Sequence, residues 1–335
     1  VLGDVRSLVT ANARGAAQVL RFLQEYGLRD LRALAAVLQD RSEAAMRAAI
    51  RALPDGTYRS TVDFNPLGTR MTLPMALTVA DDRIEVDFAG APPQVPLGGI
   101  NCTLSYTEAH ATYPLKCMLT PGVRGNAGCY RAFTVKAPER SILNCAHPAP
   151  VSLRTRTGWY SSPNIFRAMA ETVPGAVRAY SGLPSVLTFW GTDAEGQPFS
   201  EMLLMGGGQG AGQGLDGRGA LLWPTSAASS SLELLEQRLP IIVQEKGFVT
   251  DSGWPGAARG GPATRIRVRR RDAAGEMTCQ VAPEGVDLPV EGLHGGAPGL
   301  SARATITSGE TVTDCGTGGM FPLAGCDDEV ELILS

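Results

Sequence analysis

The chain has 335 residues, 44% of them hydrophobic and 19% charged, enough for a large core and more than one structural unit. Its net charge of -3 excludes the basic excess with which nucleic-acid binders neutralise phosphates. No apolar run reaches the roughly 18 residues that a membrane-spanning helix requires, so neither nucleic acid nor membrane is an expected partner.

The first segment is helical in pattern. Residues 8–26 and 28–52 read as two helices, with Leu20, Leu23, Leu31, Leu34, Val37 and Leu38 at helical spacing and Gly27 as the break between them. Pro54-Asp55-Gly56 closes the second helix in a turn. Strands are predicted over 57–63, 71–80 and 83–88, with Asp81-Asp82 as the hairpin turn. Ile84-Glu85-Val86-Asp87-Phe88 alternates apolar and polar, which predicts one buried face. A Pro/Gly loop over 91–100 leads to a helix over 104–119, the loop Pro121 to Gly128 and a strand near 131–137. Next come a short helix over 161–173, strands over 185–191 and 199–204, and the glycine run 206–219. A helix near 231–238 precedes strands over 240–249, 264–270, 276–282, 302–307 and 328–334. The sum is an α+β chain: a helical entry over 1–56, a mixed α/β centre over 57–260 and a β-rich portion over 261–335.

Charge and cysteine patterns read plainly. Arg265-Ile266-Arg267-Val268-Arg269 alternates at period two, as a strand with one solvated face does, and Arg270-Arg271 extends the basic run. Glu284 and Asp287 flank a turn and read as solvated. The seven cysteines are odd in number and widely spaced, with no Cys-x-x-Cys pair. Reduced, buried thiols are expected, and with no signal peptide in view the expected location is cytoplasmic. The opening Val1-Leu2-Gly3-Asp4 has no initiator methionine and reads as the start of a processed chain, a split-gene product or a trimmed domain.

Few residues suggest chemistry by themselves. The run Gly206-Gly207-Gly208-Gln209-Gly210-Ala211-Gly212-Gln213-Gly214 invites a phosphate-loop reading, but no Gly-Lys-Ser/Thr follows it. A close-packed turn, or a loop lining a substrate cavity, fits better. His110, His147 and His294 stand far apart, and none has a second ligand at metal spacing. Structural packing is the ordinary reading for each. A proton-transfer role stays open for His110 and His294, since imidazole titrates near neutral pH. Ser229-Ser230-Ser231 reads as helix capping, and no Gly-x-Ser-x-Gly elbow is present.

An ordered series of blocks resembles the hydantoinase B/oxoprolinase family. It begins with Gly3-Asp4-Val5-Arg6, Tyr26-Gly27-Leu28 and Met46-Arg47-Ala48-Ala49-Ile50, followed by Leu53-Pro54-Asp55-Gly56-Thr57-Tyr58. Asp87-Phe88-Ala89-Gly90, Gly99-Ile100-Asn101-Cys102, Asn126-Ala127-Gly128-Cys129 and Pro148-Ala149-Pro150-Val151 continue it. Asp251-Ser252-Gly253, Arg259-Gly260-Gly261 and the turn from Glu291 to Gly299 complete it, so the likeness runs from residue 3 to about 320.

The resemblance implies a soluble component of a two-part enzyme. A hydantoinase A-type ATPase partner would use ATP and Mg to phosphorylate a lactam, hydantoin or ketone oxygen. The B-type component would then hydrolyse the cyclic amide or carboxylate the ketone. The family's divalent metal is built on an N-terminal His-x-x-Asp-type segment that has no counterpart here, so no cofactor is expected on this chain alone. A metal-bearing N-terminal B-type chain or fragment is therefore a further expected partner. Asn101 and Asn126 are the expected polar groups facing the intermediate, because amides orient a carbonyl or oxyanion; each is also a plausible turn residue. Gly128, Gly208 and Gly210 are the expected substrate-facing glycines. Two departures favour an alternative, a non-catalytic assembly subunit. The family's two asparagines are missing from Thr225 to Glu233, and its late glycine run is altered at Asp314 to Phe321.

Overall fold

The computed structural model describes residues 2–66, 68–223, 225 and 227–334; the expectations that touch Val1, Ser226 and Ser335 lie outside these. The fold is mixed α+β, with N-terminal helices, one mixed sheet and two antiparallel sheets. Helix α1 spans Leu2–Glu25 and α2 spans Arg32–Arg51. Between them Gly27 takes φ +64°, the left-handed value that glycine adopts without steric cost.

The first sheet runs in the order β1 (Gly56–Phe64), β2 (Met71–Ala80), β3 (Arg83–Asp87), β4 (Phe133–Lys136). Its last pair is parallel and the others are antiparallel. Strand β2 alternates strictly, so Leu73, Met75, Leu77 and Val79 all face the core. Helices α2, α3 (Leu104–Leu119) and α6 (Ser161–Met169) contribute Met46, Ile50, Ala111, Leu115, Ile165 and Met169 to the same core. Two single-turn helices, α4 (Ala127–Tyr130) and α5 (Thr155–Gly158), sit in the connections.

Helix α3 holds a proline in its interior. Pro114 has no N–H to give the carbonyl four residues back, on His110. That carbonyl instead accepts from Ser162 Oγ of α6 at 2.9 Å, so the missing bond becomes a tie between helices. Buried Asn164 of α6 donates to Leu73 O at 2.8 Å and anchors the helix to β2.

The rest of the chain builds two sheets around a second core. One has the order β12 (Gly319–Pro322), β9 (Glu276–Ala282), β5 (Ser185–Thr192), β6 (Pro198–Met205). The other runs β11 (Thr311–Asp314), β10 (Arg303–Ser308), β13 (Glu329–Leu334), β8 (Thr264–Arg270), β7 (Ile241–Phe248). Phe189, Met277 and Cys279 from the first share a core with Ile266, Val268 and Leu332 from the second. Helix α7 (Leu232–Arg238) adds Leu235. The β7–β8 and β5–β9 ladders cross position 260/261; the last buried residue of the first core is Val177 and the first of the second is Leu187. Period-two patterning marks single strands, but it carries no information on which strand pairs with which.

Two sequence expectations need correction. Arg265, Arg267 and Arg269 lie on the outer face of β8 and pair with Glu245, Glu331, Glu329 and Asp327. Arg270 falls on the inner face and is 2% exposed. It donates to the carbonyls of Asp272, Leu323, Ala274 and Gly275, which offset the cost of burying its charge. The cysteines are all unpaired, but only Cys102, Cys129, Cys279 and Cys315 are buried; Cys145 is intermediate, and Cys117 and Cys326 are exposed. Among the described residues, no helix is long and apolar enough to cross a membrane.

Candidate functional site

A cavity of about 380 Å³ lies against the N-terminal core. Ala170 and Val177 close it from the N-terminal core, Pro174, Ala179 and Tyr180 lie beside them, and the rest of the wall comes from three glycine-rich segments, 208–214, 254–261 and 290–299. In sequence these clusters are about forty residues apart; the folded chain stacks them.

The stacking explains the glycines. A methyl on Gly208 would sit 2.2 Å from Gly261 O, and one on Gly210 would sit 2.0 Å from Ala179 O. On Gly217 it would meet Gln209 O at 1.9 Å, and on Gly261 it would meet Arg218 O at 2.2 Å. None of these four carries a positive φ, so close approach of backbone to backbone, not turn geometry, demands glycine. Several amides are consumed by this packing. Gln209 N donates to Arg218 O, Gly261 N to Gln209 O, and Gly210 N to Ser181 Oγ. The loop is therefore a close-packed cavity wall rather than an open cradle of N–H groups for phosphate.

Side chains reach the cavity at few points. Tyr180, Gln209, Gln213, Trp254, Glu291 and His294 supply its larger or polar lining. His294 has φ +49° and Gly295 φ +81°, a left-handed pair that turns the chain sharply at the cavity rim. Glu291 pairs with Arg167 of α6, which fixes the start of that turn. Beyond the turn a shallow pocket opens, bordered by Tyr58, Arg59, Arg167 and Glu171.

A smaller cavity of about 170 Å³ lies between the two cores, with Tyr160 packed on one and Val286 on the other; Asn65, Arg156, Glu284 and Asp287 also line it. Glu284 is not solvated as the sequence suggests. Its side chain is 11% exposed and accepts from Arg156 Nε. Burial raises the Glu284 carboxyl above its ordinary range, and the guanidinium opposes that shift. Tyr160 stacks 5.1 Å from Phe64 and 5.7 Å from Tyr180, centroid to centroid. Burial pushes both phenols up, so they stay protonated at physiological pH.

The expected site residues divide into two groups. Gly208, Gly210 and His294 come together around the main cavity. Asn101, Asn126, Gly128 and His110 do not line it. Asn101 is fully buried, accepts from Val95 N, and donates to Val95 O and Pro150 O. Asn126 caps α4 by accepting from Gly128 N at 2.9 Å and donates to Ser42 Oγ of α2 at 2.8 Å. A methyl on Gly128 would meet Gln39 O at 1.9 Å, so this glycine lets α4 press against α2. His110 lies on α3 with its ring 4.6 Å from that of Tyr106, and burial lowers it to about 4. Sequence reasoning missed Tyr180, Trp254 and Glu291. The available signal was the recurrence of glycine clusters at 206–219, 253–261 and 291–299, which mark three loops meeting at one place.

The family-implied divalent metal can be tested against these residues. Among the described residues no group of three or more His, Cys, Asp or Glu side chains is placed to hold a metal. The residues present do not fit one.

The family model for hydantoinase B/oxoprolinase matches residues 1–328. The chain belongs to that family. It is 27% identical over 325 residues to the putative D-/L-hydantoinase B-subunit of Pseudomonas sp. strain NS671, covering 93% of this chain and 54% of that one. It is 28% identical over 310 residues to the caprolactamase beta-subunit of Pseudomonas jessenii, covering 88% and 52%. The chain thus spans about half the length of these two relatives. The solved ATP-dependent caprolactamase of P. jessenii superposes with a TM-score of 0.87 at 22% identity, over 99% of this chain and 60% of that one. A nucleotide-free acetone carboxylase superposes with a TM-score of 0.70 at 16% identity, over 88% and 46%. Both solved structures share the fold.

Proposed function

We propose that the chain is part of the B-type component of an ATP-dependent two-part enzyme. Its substrate would be a lactam, hydantoin or ketone whose carbonyl oxygen an A-type ATPase partner has phosphorylated, ending in amide hydrolysis or carboxylation. The observation that carries this reading is the glycine-walled cavity against the N-terminal core, formed by segments that lie within the family match. Relatives named as a caprolactamase beta-subunit and a hydantoinase B-subunit support the reaction class and a multi-subunit assembly.

An amide carbonyl is inert at neutral pH; phosphorylation of its oxygen supplies a leaving group, and the activated species then has to be kept from bulk water. The residues here suit the holding part of that task. The packed glycine loops give a fixed wall, and Trp254 and Tyr180 give apolar and hydrogen-bonding surface. His294, at the left-handed turn on the rim, is the group placed to move a proton at the reacting carbonyl or leaving nitrogen.

The test is reconstitution with the A-type ATPase of the same host, ATP and a panel of lactams, hydantoins and ketones. ADP release and ring opening or carboxylate formation are measured together. Turnover that depends on this chain and falls at least tenfold in Ala297→Phe, which fills the cavity, is the expected result. An intact assembly whose turnover ignores Ala297→Phe and His294→Ala would move the chain to the assembly-subunit reading.

A further inference from the structure

Helix α1 has no buried residue over its 24 positions, a length of about 36 Å. It is nevertheless strongly amphipathic. From Leu2, steps of three and four pass through Val5, Val9, Asn12, Ala16, Val19 and Leu23, a heptad seam of about six turns with one polar position. Leu2, Val5, Val9 and Val19 on that seam are 65, 51, 65 and 44% exposed. Asp4, Ser7, Arg14, Arg21 and Glu25 lie on the opposite side. A lone helix of this kind gains little stability in water without a packed face.

The neighbouring helix shows what is missing. The buried stripe Ser42, Met46, Ile50 of α2 continues backwards through Leu38 to Leu31 at the N-cap, which are 52 and 39% exposed. The core begun by the second half of α2 therefore stops partway along one continuous apolar face. The superposition on caprolactamase takes in 99% of this chain, so it includes α1 and α2, while 40% of the larger chain lies outside it. The curated relatives likewise extend over about as much sequence again.

We infer that the apolar faces of α1 and the first half of α2 dock a helical segment in the part of the hydantoinase B polypeptide that this chain does not span. That part can be carried on the same polypeptide or on another. A second copy of this chain would cover α1 but would not extend the core that α2 shares with the first sheet. The knobs-into-holes seam calls for an apolar helix as the contacting element, with a polar side chain opposite Asn12. The inference rests on the reading that the chain works within a B-type component.

The experiment places a photo-cross-linking residue at Val9 and, separately, at Leu20, in the assembly purified from the native host. Cross-linked peptides are identified by mass spectrometry, and the same preparation is assayed for ATP-dependent turnover. Cross-links into the unspanned part of the B-type polypeptide are expected. In Val19→Asp those cross-links fall at least about thirtyfold, the effect of a hot-spot side chain. Cross-links to α1 of another copy, to the ATPase partner, to lipid or to any other protein overturn the inference, as does their absence. Correct cross-links without turnover would leave the interface standing and remove the proposed function. Turnover with cross-links elsewhere would do the reverse.

Discussion

The glycine belt around the cavity and the helical arm at the N-terminus solve opposite problems. In the belt, backbone lies on backbone and side chains are nearly absent; Gly208, Gly210, Gly217 and Gly261 each leave less space than a methyl needs. In the arm, side chains are plentiful and nothing among the described residues buries them. One region is specified by what it lacks and tolerates no addition. The other carries a full apolar seam with its complement elsewhere. The difference teaches that local pattern and local stability are separate: α1 has the more regular sequence and the belt has the tighter packing.

The largest effect should come from adding a single carbon to the belt. Gly208→Ala drives a Cβ into Gly261 O, and neither side is a flexible side chain. Unfolding in urea should show a loss of about 3 kcal/mol or more. A loss under about 1 kcal/mol would mean that the loops separate easily, and the contrast with the arm would fail. The seam between the cores gives the next effect. Arg156→Ala leaves Glu284 buried without its partner, and a loss of about 3 kcal/mol is expected. Glu284→Gln, which keeps the shape and removes the charge, should cost clearly less, and equal losses would show that the charge pairing carries the whole effect.

A packed helix can be set against the bare one by pH. His110 on α3 is held to about 4 in the folded chain against 6.5 when unfolded. Its folded value is lowered, so below pH 6.5 the unfolded chain takes up a proton that the folded chain refuses. Stability falls as pH drops from 6.5 towards 4 and then levels. The limit is about 3 kcal/mol, reduced in practice because the ring is partly solvated. Stability curves at about pH 7 and about pH 4.5 should differ by less in His110→Gln; parallel curves for both proteins would assign the acid loss to carboxylates. The smallest effect belongs to the arm. Leu8→Asp should change the stability of this chain alone by no more than about 0.5 kcal/mol, because Leu8 is 66% exposed. Amide exchange in α1 should be fast in the isolated chain and slow in the assembly.

Much of the fold was legible. Helix α3 was expected over 104–119 and occupies Leu104–Leu119, and the alternation at Ile84 to Phe88 does bury one face. These elements carry their own periodicity. Strands β11 and β12 were not expected: each has four residues, too few to show a period, and glycines crowd their approach. The site was less legible. Asn101 and Asn126 look like polar site residues in a string of letters, yet their amides bond to nearby backbone and to Ser42. Tyr180 and Trp254 carry no local mark, because their meeting depends on loops far apart in sequence. Glu284 reads as surface because its partner, Arg156, is 128 residues away.

Arg270 has a mechanical consequence. Its guanidinium binds carbonyls from Asp272, Ala274 and Gly275 on one side and Leu323 on the other. The planar fork holds its N–H donors at fixed angles to these acceptors, so the chain just after β8 and the chain just after β12 are clamped by one side chain. Those strands belong to different sheets. A shearing load on either sheet would pass through that single rivet as well as through the apolar core, and a lysine there, with its one terminal nitrogen, could not span the same four acceptors.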